Sequence, residues 1–197
     1  PFNFPFQLHQ RNRALYLLNK LGISISETSK SFSFPKTKDS RCNRIVIHTG
    51  ANHPERKWPV NHWIALIKLL KKSYNLALVQ GEDVQNDTRT ILLDSPELEI
   101  FNGSLLDFGC WLQNQKLLIG VDSMAVHLSS LLGVPALAMF GSQNPDLTGP
   151  YGNKGHFIRP KKPCTHKRKN WRLCSQCLES VTPKNVHKKI VEILGKS

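Results

Sequence analysis

"GVDSMAVHLSSLLGVPALAMFG" (Gly120–Gly141) is the stretch that decides the fold of this chain. Its two ends are almost wholly apolar, as strands buried on both faces should be. Its middle takes a helical spacing that stops at Gly133, a normal helix C-terminal glycine. An acid, a hydroxyl and an imidazole (Asp122, Ser123 and His127) stand where the first strand ends and the helix begins. A strand to Val121 and a helix from Ser123 place Asp122 at the N-cap, beside backbone N–H groups that favour an anion. Ser123 and His127 are four apart and share a helix face. Singly, capping accounts for Asp122 and a core role for His127. Together, at the carboxyl end of a strand, the three point to a binding site.

The alternation extends outward in both directions. "RIVIH" (44–48), "NLALVQG" (75–81), "LEIFNG" (98–103), "KLLIGVD" (116–122) and "VPALAMFG" (134–141) read as strands. Helices are expected over 61–73, with Asn61 as N-cap, weakly over 85–94, over 104–115 with Ser104 as cap, and over 123–133. Five strands alternating with four helices give a doubly wound parallel α/β sheet, Rossmann-like. Ligands bind such sheets outside the carboxyl ends of the strands. Residues 1–41 hold one helical stretch (11–22) and a Ser-rich segment. A closing helix spans 182–194, with Thr182 as cap and Pro183 in its first turn.

The 197 residues carry a net charge of +13, unevenly placed. Residues 1–41 hold seven Lys and Arg against two acids, residues 42–151 hold eight against ten, and residues 152–197 hold twelve against two. A near-neutral core with basic ends suggests a polyanionic partner: a phosphorylated substrate, an anionic membrane surface or nucleic acid. No apolar run reaches the roughly 18–20 residues that span a bilayer. No signal-peptide pattern opens the chain, and its start at Pro1 reads as that of a fragment. Five cysteines, an odd number, argue against a secreted disulfide framework and make a cytoplasmic setting the default.

Two more segments follow strands. "HTGANHPERKWP" (48–59) offers Gly50 for close backbone approach and Arg56 and Lys57 for positive charge, yet matches neither G-x-G-x-x-G nor the P-loop. A loop of backbone N–H groups with one Lys suits a diphosphate. "FGSQNPDLTGPYG" (140–152) is turn-rich and borders the same side.

Taken together, the three segments resemble the C-terminal half of glycosyltransferase family 9, the ADP-heptose:lipopolysaccharide heptosyltransferases. The family's "PGA…K-W-P" loop stands as His48-Thr49-Gly50-Ala51 through Lys57-Trp58-Pro59. Its "D-[ST]-G-x-x-H" motif stands as Asp122-Ser123-Met124-Ala125-Val126-His127, and its "F-G-x-T-x-P…G-P" as Phe140 to Pro145 through Gly149-Pro150. "CSQCLESVTPKNV" resembles the Cys-containing segment before the family's last helix. Met124 replaces the family's Gly, and Ser129-Ser130 its Ala-Ala.

The resemblance implies a GT-B enzyme made of two Rossmann-like halves. Residues 1–41 would be the connecting segment and last helix of an N-terminal acceptor half. Residues 42–181 would be the nucleotide-sugar-binding domain, and 182–197 the closing helix. It further implies inverting transfer from an ADP-heptose-like donor to a lipid-linked or phosphorylated saccharide of the lipopolysaccharide type. No metal or cofactor is required, and the catalytic base lies in the other half. The enzyme would be cytoplasmic and peripheral at the inner face of the inner membrane. Thr49, Gly50, Ala51, Lys57, Gly103, Asp122, Ser123 and His127 would hold the donor. Lys57 would neutralise the diphosphate, Ser123 would donate to it, and His127 would bond it when protonated. Asp122 would position the sugar or brace the loop, and Gly103 would admit the base. Glu82, Asp83 or Asp87 would hold the ribose.

Three other readings stand beside this one. Cys164, His166, Cys174 and Cys177 include one zinc-type C-x-x-C pair, at otherwise irregular spacing. The stretch 161–174 mixes cations with Trp171, as nucleic-acid binders do, but lacks a known motif, and the resemblance argues for no nucleic acid. A non-catalytic sugar-nucleotide-binding domain is the third reading.

Overall fold

The structure, a computed structural model, describes residues 6–23, 35, 43–81, 85–166 and 173–195. Its centre is a six-stranded, all-parallel sheet of β1 (Arg44–His48), β2 (Asn75–Val79), β3 (Glu99–Phe101), β4 (Leu117–Val121), β5 (Ala136–Met139) and β6 (Gly155–Ile158). The strand order is β3-β2-β1-β4-β5-β6. Helices α1 (Gln10–Lys20), α2 (Val60–Leu70), α3 (Gln85–Asp94), α4 (Leu105–Leu112), α5 (Met124–Leu131), α6 (Pro145–Thr148), α7 (Ser175–Glu179) and α8 (Pro183–Leu194) accompany it.

The period-2 geometry of the strands divides the core in two. Ile45, Ile47, Leu117, Ile119 and Leu137 face Trp63, Leu66 and Ile67 of α2 and Val186 and Ile190 of α8. Val46, Leu118, Ala136 and Ala138 face Phe108 and Leu112 of α4 and Ala125 and Val126 of α5. Both faces are covered, so the Rossmann-like, doubly wound reading holds.

The departures have local causes. β6 was not expected: "GHFI" is a short edge strand with no fully buried residue, so it lacks the apolar run that marks the others. Pro59, not Asn61, caps α2, because the fixed φ of proline suits that turn and Asn61 lies inside the helix. Ser123, not Asp122, is the N-cap of α5, and its side chain makes no capping bond. Asp107 does complete a capping box with Ser104 on α4, and hydrogen bonds from Ser104 hold its carboxyl below the usual carboxylate range.

Trp58 fastens the loop after β1 to the far end of the chain. Its indole N–H donates to the carbonyl of Val181 at 2.9 Å, and its ring stands edge-on to Trp63 at 4.9 Å. Trp58→Phe keeps most of the buried ring but leaves the Val181 carbonyl unpaired. The expected cost is about 1–3 kcal/mol, read as a lower urea midpoint with unchanged slope. An unchanged midpoint would remove the fastening role.

Candidate functional site

The chain leaves β1 toward β2 on one side and returns to β4 on the other. Between the carboxyl ends of β1 and β4 this parting opens a crevice. A cleft of about 660 Å³ lies there, lined by Gly50, Ala51 and Arg56 after β1, by Asp122, Ser123, Met124 and His127 at the start of α5, and by Gln143 after β5. Gln10 of α1 and Leu173 complete part of its wall.

Asp122 organises these groups. Its carboxylate is nine-tenths buried and pairs with Arg56 at 3.4 Å and with His127 at 3.8 Å. With its amide oriented by its neighbours, Gln143 donates to Asp122 at 2.6 Å and accepts from Arg56 at 2.8 Å. Three segments distant in sequence are thereby joined through one carboxylate. His127 is 43% exposed at its side chain, which excludes the core-histidine reading and leaves its ring open to the cleft.

Two hydroxyls beside the crevice are buried with no partner among the described residues: Thr49 Oγ1 and Ser123 Oγ. Such groups usually find a partner, so a ligand acceptor is the natural complement for Ser123, which lines the cleft. Because Ser123 does not cap α5, the first N–H groups of that helix lack a side-chain acceptor from their own N-cap.

The expected donor residues divide accordingly. Gly50, Ala51, Asp122, Ser123 and His127 line the cleft, whereas Thr49 is fully buried behind the lining. Lys57 lies outside the lining, with its ammonium 3.9 Å from Asp87, one of the expected ribose acids. Gly103 also lies outside it: a Cβ there would sit 3.1 Å from the Phe101 ring and 3.2 Å from Asp107, so packing explains this glycine. Glu82 and Asp83 lie outside the described residues. From the sequence, Arg56 is named beside Lys57 as positive charge but the diphosphate is assigned to Lys57, and Gln143 is passed over although it sits inside a segment singled out. Met124 lines the cleft and is 54% exposed where the family motif has Gly.

Outside the cleft lining, the ligand atoms of Cys164, His166, Cys174 and Cys177 lie within 4.8 Å of one another. Burial pushes the Cys177 thiol up to about 12, and the adjacent Cys164 and Cys174 sulfurs add to the shift.

Among known proteins, the chain is 25% identical over 123 residues to lipopolysaccharide heptosyltransferase 1 of Pseudomonas aeruginosa, a match covering 61% of this chain and 35% of that protein. It is 24% identical over 152 residues to lipopolysaccharide heptosyltransferase 2 of Escherichia coli K12, covering 70% and 42%. The chain thus spans less than half the length of these relatives. Escherichia coli heptosyltransferase WaaC, solved with ADP, superposes with a TM-score of 0.73 at 20% identity, over 98% of this chain and 59% of that one. The fold is therefore the one seen in GT-B heptosyltransferases. Residues 14–176 match the model of glycosyltransferase family 9 (heptosyltransferase), and the chain belongs to that family.

Proposed function

We propose that this chain is the donor-binding half of an inverting sugar transferase that takes a nucleoside-diphosphate sugar, ADP-heptose-like, and serves a lipopolysaccharide-type acceptor. The observation that carries the reading is the unpartnered Ser123 hydroxyl at the uncapped start of α5, in a cleft at the β1–β4 crevice. The cleft volume suits a ligand of nucleotide size. The ADP bound to WaaC agrees with that choice.

In the transfer, an acceptor hydroxyl attacks the anomeric carbon as the bond to the diphosphate breaks. Negative charge then gathers on the leaving phosphate, and donors fixed in advance stabilise it there. Arg56, the Ser123 hydroxyl, the first N–H groups of α5 and the His127 ring supply those donors. Asp122 does not meet the phosphate as a bare charge, because Arg56 and Gln143 already engage it. Lys57 and Asp87 together would serve the nucleoside end. The base that takes the acceptor proton is assigned to the other half of the enzyme. In keeping with a second half, α1 buries none of its residues and leaves Leu17 and neighbouring Leu21 exposed.

No helix among the described residues is long and apolar enough to cross a membrane. A groove of about 590 Å³ lined by Arg159, Lys161, Lys162, Lys188 and Lys189 supports peripheral attachment to an anionic surface instead.

Calorimetry with ADP, UDP and GDP tests the donor assignment. ADP is expected to bind most tightly. Ser123→Ala should weaken it about 2–10-fold, and Arg56→Ala about 10–100-fold. Lys57→Ala should act less than Arg56→Ala. A folded chain that binds none of the three nucleotides would refute the donor assignment. Vesicle sedimentation tests the attachment: binding to anionic but not zwitterionic lipid, released by salt, is expected. Equal binding to both lipids would count against it.

A further inference from the structure

The side chains of Cys164, His166, Cys174 and Cys177 do not line the donor cleft, yet their ligand atoms are gathered within 4.8 Å of one another. Cys174 is the N-cap of α7, and Cys177 lies within that helix. Cys164 and His166 arrive from the segment after β6. The Nδ1 atom of His166 lies 3.5 Å from Cys174 Sγ, 3.5 Å from Cys177 Sγ and 3.8 Å from Cys164 Sγ. One ring nitrogen offers a single proton or a single lone pair, so it cannot hydrogen-bond three sulfurs at once. Three sulfurs nearly equidistant from one nitrogen describe instead the corners of a shared polyhedron. A tetrahedral ion with bonds of about 2.3 Å to sulfur and about 2.0–2.1 Å to nitrogen sets those corners about 3.6 Å apart. The three nitrogen–sulfur edges, 3.5, 3.5 and 3.8 Å, fall close to that length, and all four ligand atoms lie within 4.8 Å of one another.

We propose that these four side chains form a structural Cys3His site for a tetrahedrally bound transition-metal ion, zinc in the first instance. Thiolate and imidazole ligands favour zinc-type ions over magnesium or calcium. On binding, the three thiols release three protons and the neutral imidazole gives its Nδ1 lone pair. The resulting unit carries one net negative charge with a divalent ion. Arg159, Lys161 and Lys162 lie within five residues of Cys164 in sequence and supply opposite charge.

The ion would also brace the fold. Helix α7 has five residues, too few to be stable alone. It packs where the loop after β5 turns: a Cβ on Gly141 would sit 3.2 Å from the Cys174 carbonyl and 3.3 Å from Leu178. Two residues beyond Gly141 lies Gln143, and the residue before Cys174 is Leu173, both in the cleft lining. Fixing α7 to the segment after β6 therefore fixes one wall of the cleft, whatever ligand the cleft takes.

The test is elemental analysis of the purified chain by mass spectrometry, followed by cobalt substitution. One equivalent of zinc or iron per chain is expected, and cobalt should give the absorption of a tetrahedral thiolate complex. Cys177→Ser and His166→Ala should both lose the metal. His166 is exposed, so its substitution spares the core, and folding is checked by circular dichroism. Cys110→Ser, outside the cluster, should keep the metal. A folded chain with reduced thiols and no metal would overturn the site, as would full retention of metal by both cluster variants or a Cys174–Cys177 disulfide in the purified chain. The bracing is read by hydrogen exchange at Ser180 and Val181, whose amides bond within the turn after α7. Metal removal should speed their exchange by about tenfold or more. Unchanged exchange would overturn the brace and leave the site.

Discussion

A carboxylate removed from water must be met by donors, and Asp122 is the point in this molecule where that demand is greatest. It stands directly after a strand whose five residues are all buried, so its backbone is held in place at the carboxyl end of the sheet. The partners therefore come to it: Arg56 from the loop after β1, His127 from α5 and Gln143 from the loop after β5. Each partner fixes the course of its own segment, and those segments are the walls of the cleft. On the proposed reading, an acid that would repel a phosphate in isolation thus assembles the groups that would attract one. Its partners are one guanidinium, one amide and one edge of the His127 ring, and the N–H groups at the start of α5 are not among them.

The sheet supplies the rigidity this arrangement needs. β1 and β4 run side by side in register, with His48 opposite Gly120. Gly120 is small for a reason: a Cβ there would sit 3.2 Å from the His48 carbonyl and 3.1 Å from Val126 of α5. Strand, neighbouring strand and following helix meet at that spot. Only Asp122 and Ser123 separate Val121, the last paired residue of β4, from the first turn of α5, so its N–H groups have little freedom to drift. Donors fixed in this way need no reorganisation when charge develops in front of them.

How much of this was legible in the sequence depended on what each element buries. β1, β2, β4 and β5 are buried through most of their length, and their apolar runs announced them. β6 and α7 take their places from tertiary contact, with four and five residues and little apolar content, and left no periodic signal. The cleft was located by the rule that ligands gather at strand ends, but the identity of its cation was not. Arg56 and Lys57 are adjacent, and composition cannot choose between them. The choice is made by backbone geometry: Arg56 closes a 3₁₀ turn begun at Pro54, and Lys57 is already extended. Consecutive residues across that change face different ways, Arg56 toward Asp122 and Lys57 toward Asp87. The cysteine cluster shows the same limit. Its C-x-x-C pair was visible in the sequence, but bringing Cys164 and His166 to that pair depends on the course of the chain after β6.

The separation of charge along the chain has a structural counterpart. The cleft holds one acid and one arginine already matched to each other, whereas the groove beside β6 and α8 gathers five cations. Among the described residues, only Arg159 and Lys189 of those five have an acidic partner, Asp146 at 4.0 Å and Glu192 at 3.2 Å, and both are exposed pairs of little strength. A surface of that kind attracts anions at long range without selecting among them. The cleft does the opposite, with few charges and several directional donors. The proposed transferase, drawing a soluble, doubly charged donor and an acceptor at an anionic surface, would need both kinds of recognition kept apart. If the strong cations lined the cleft, they would hold the released nucleotide as firmly as the donor, and binding shared equally between the two does not speed the chemical step.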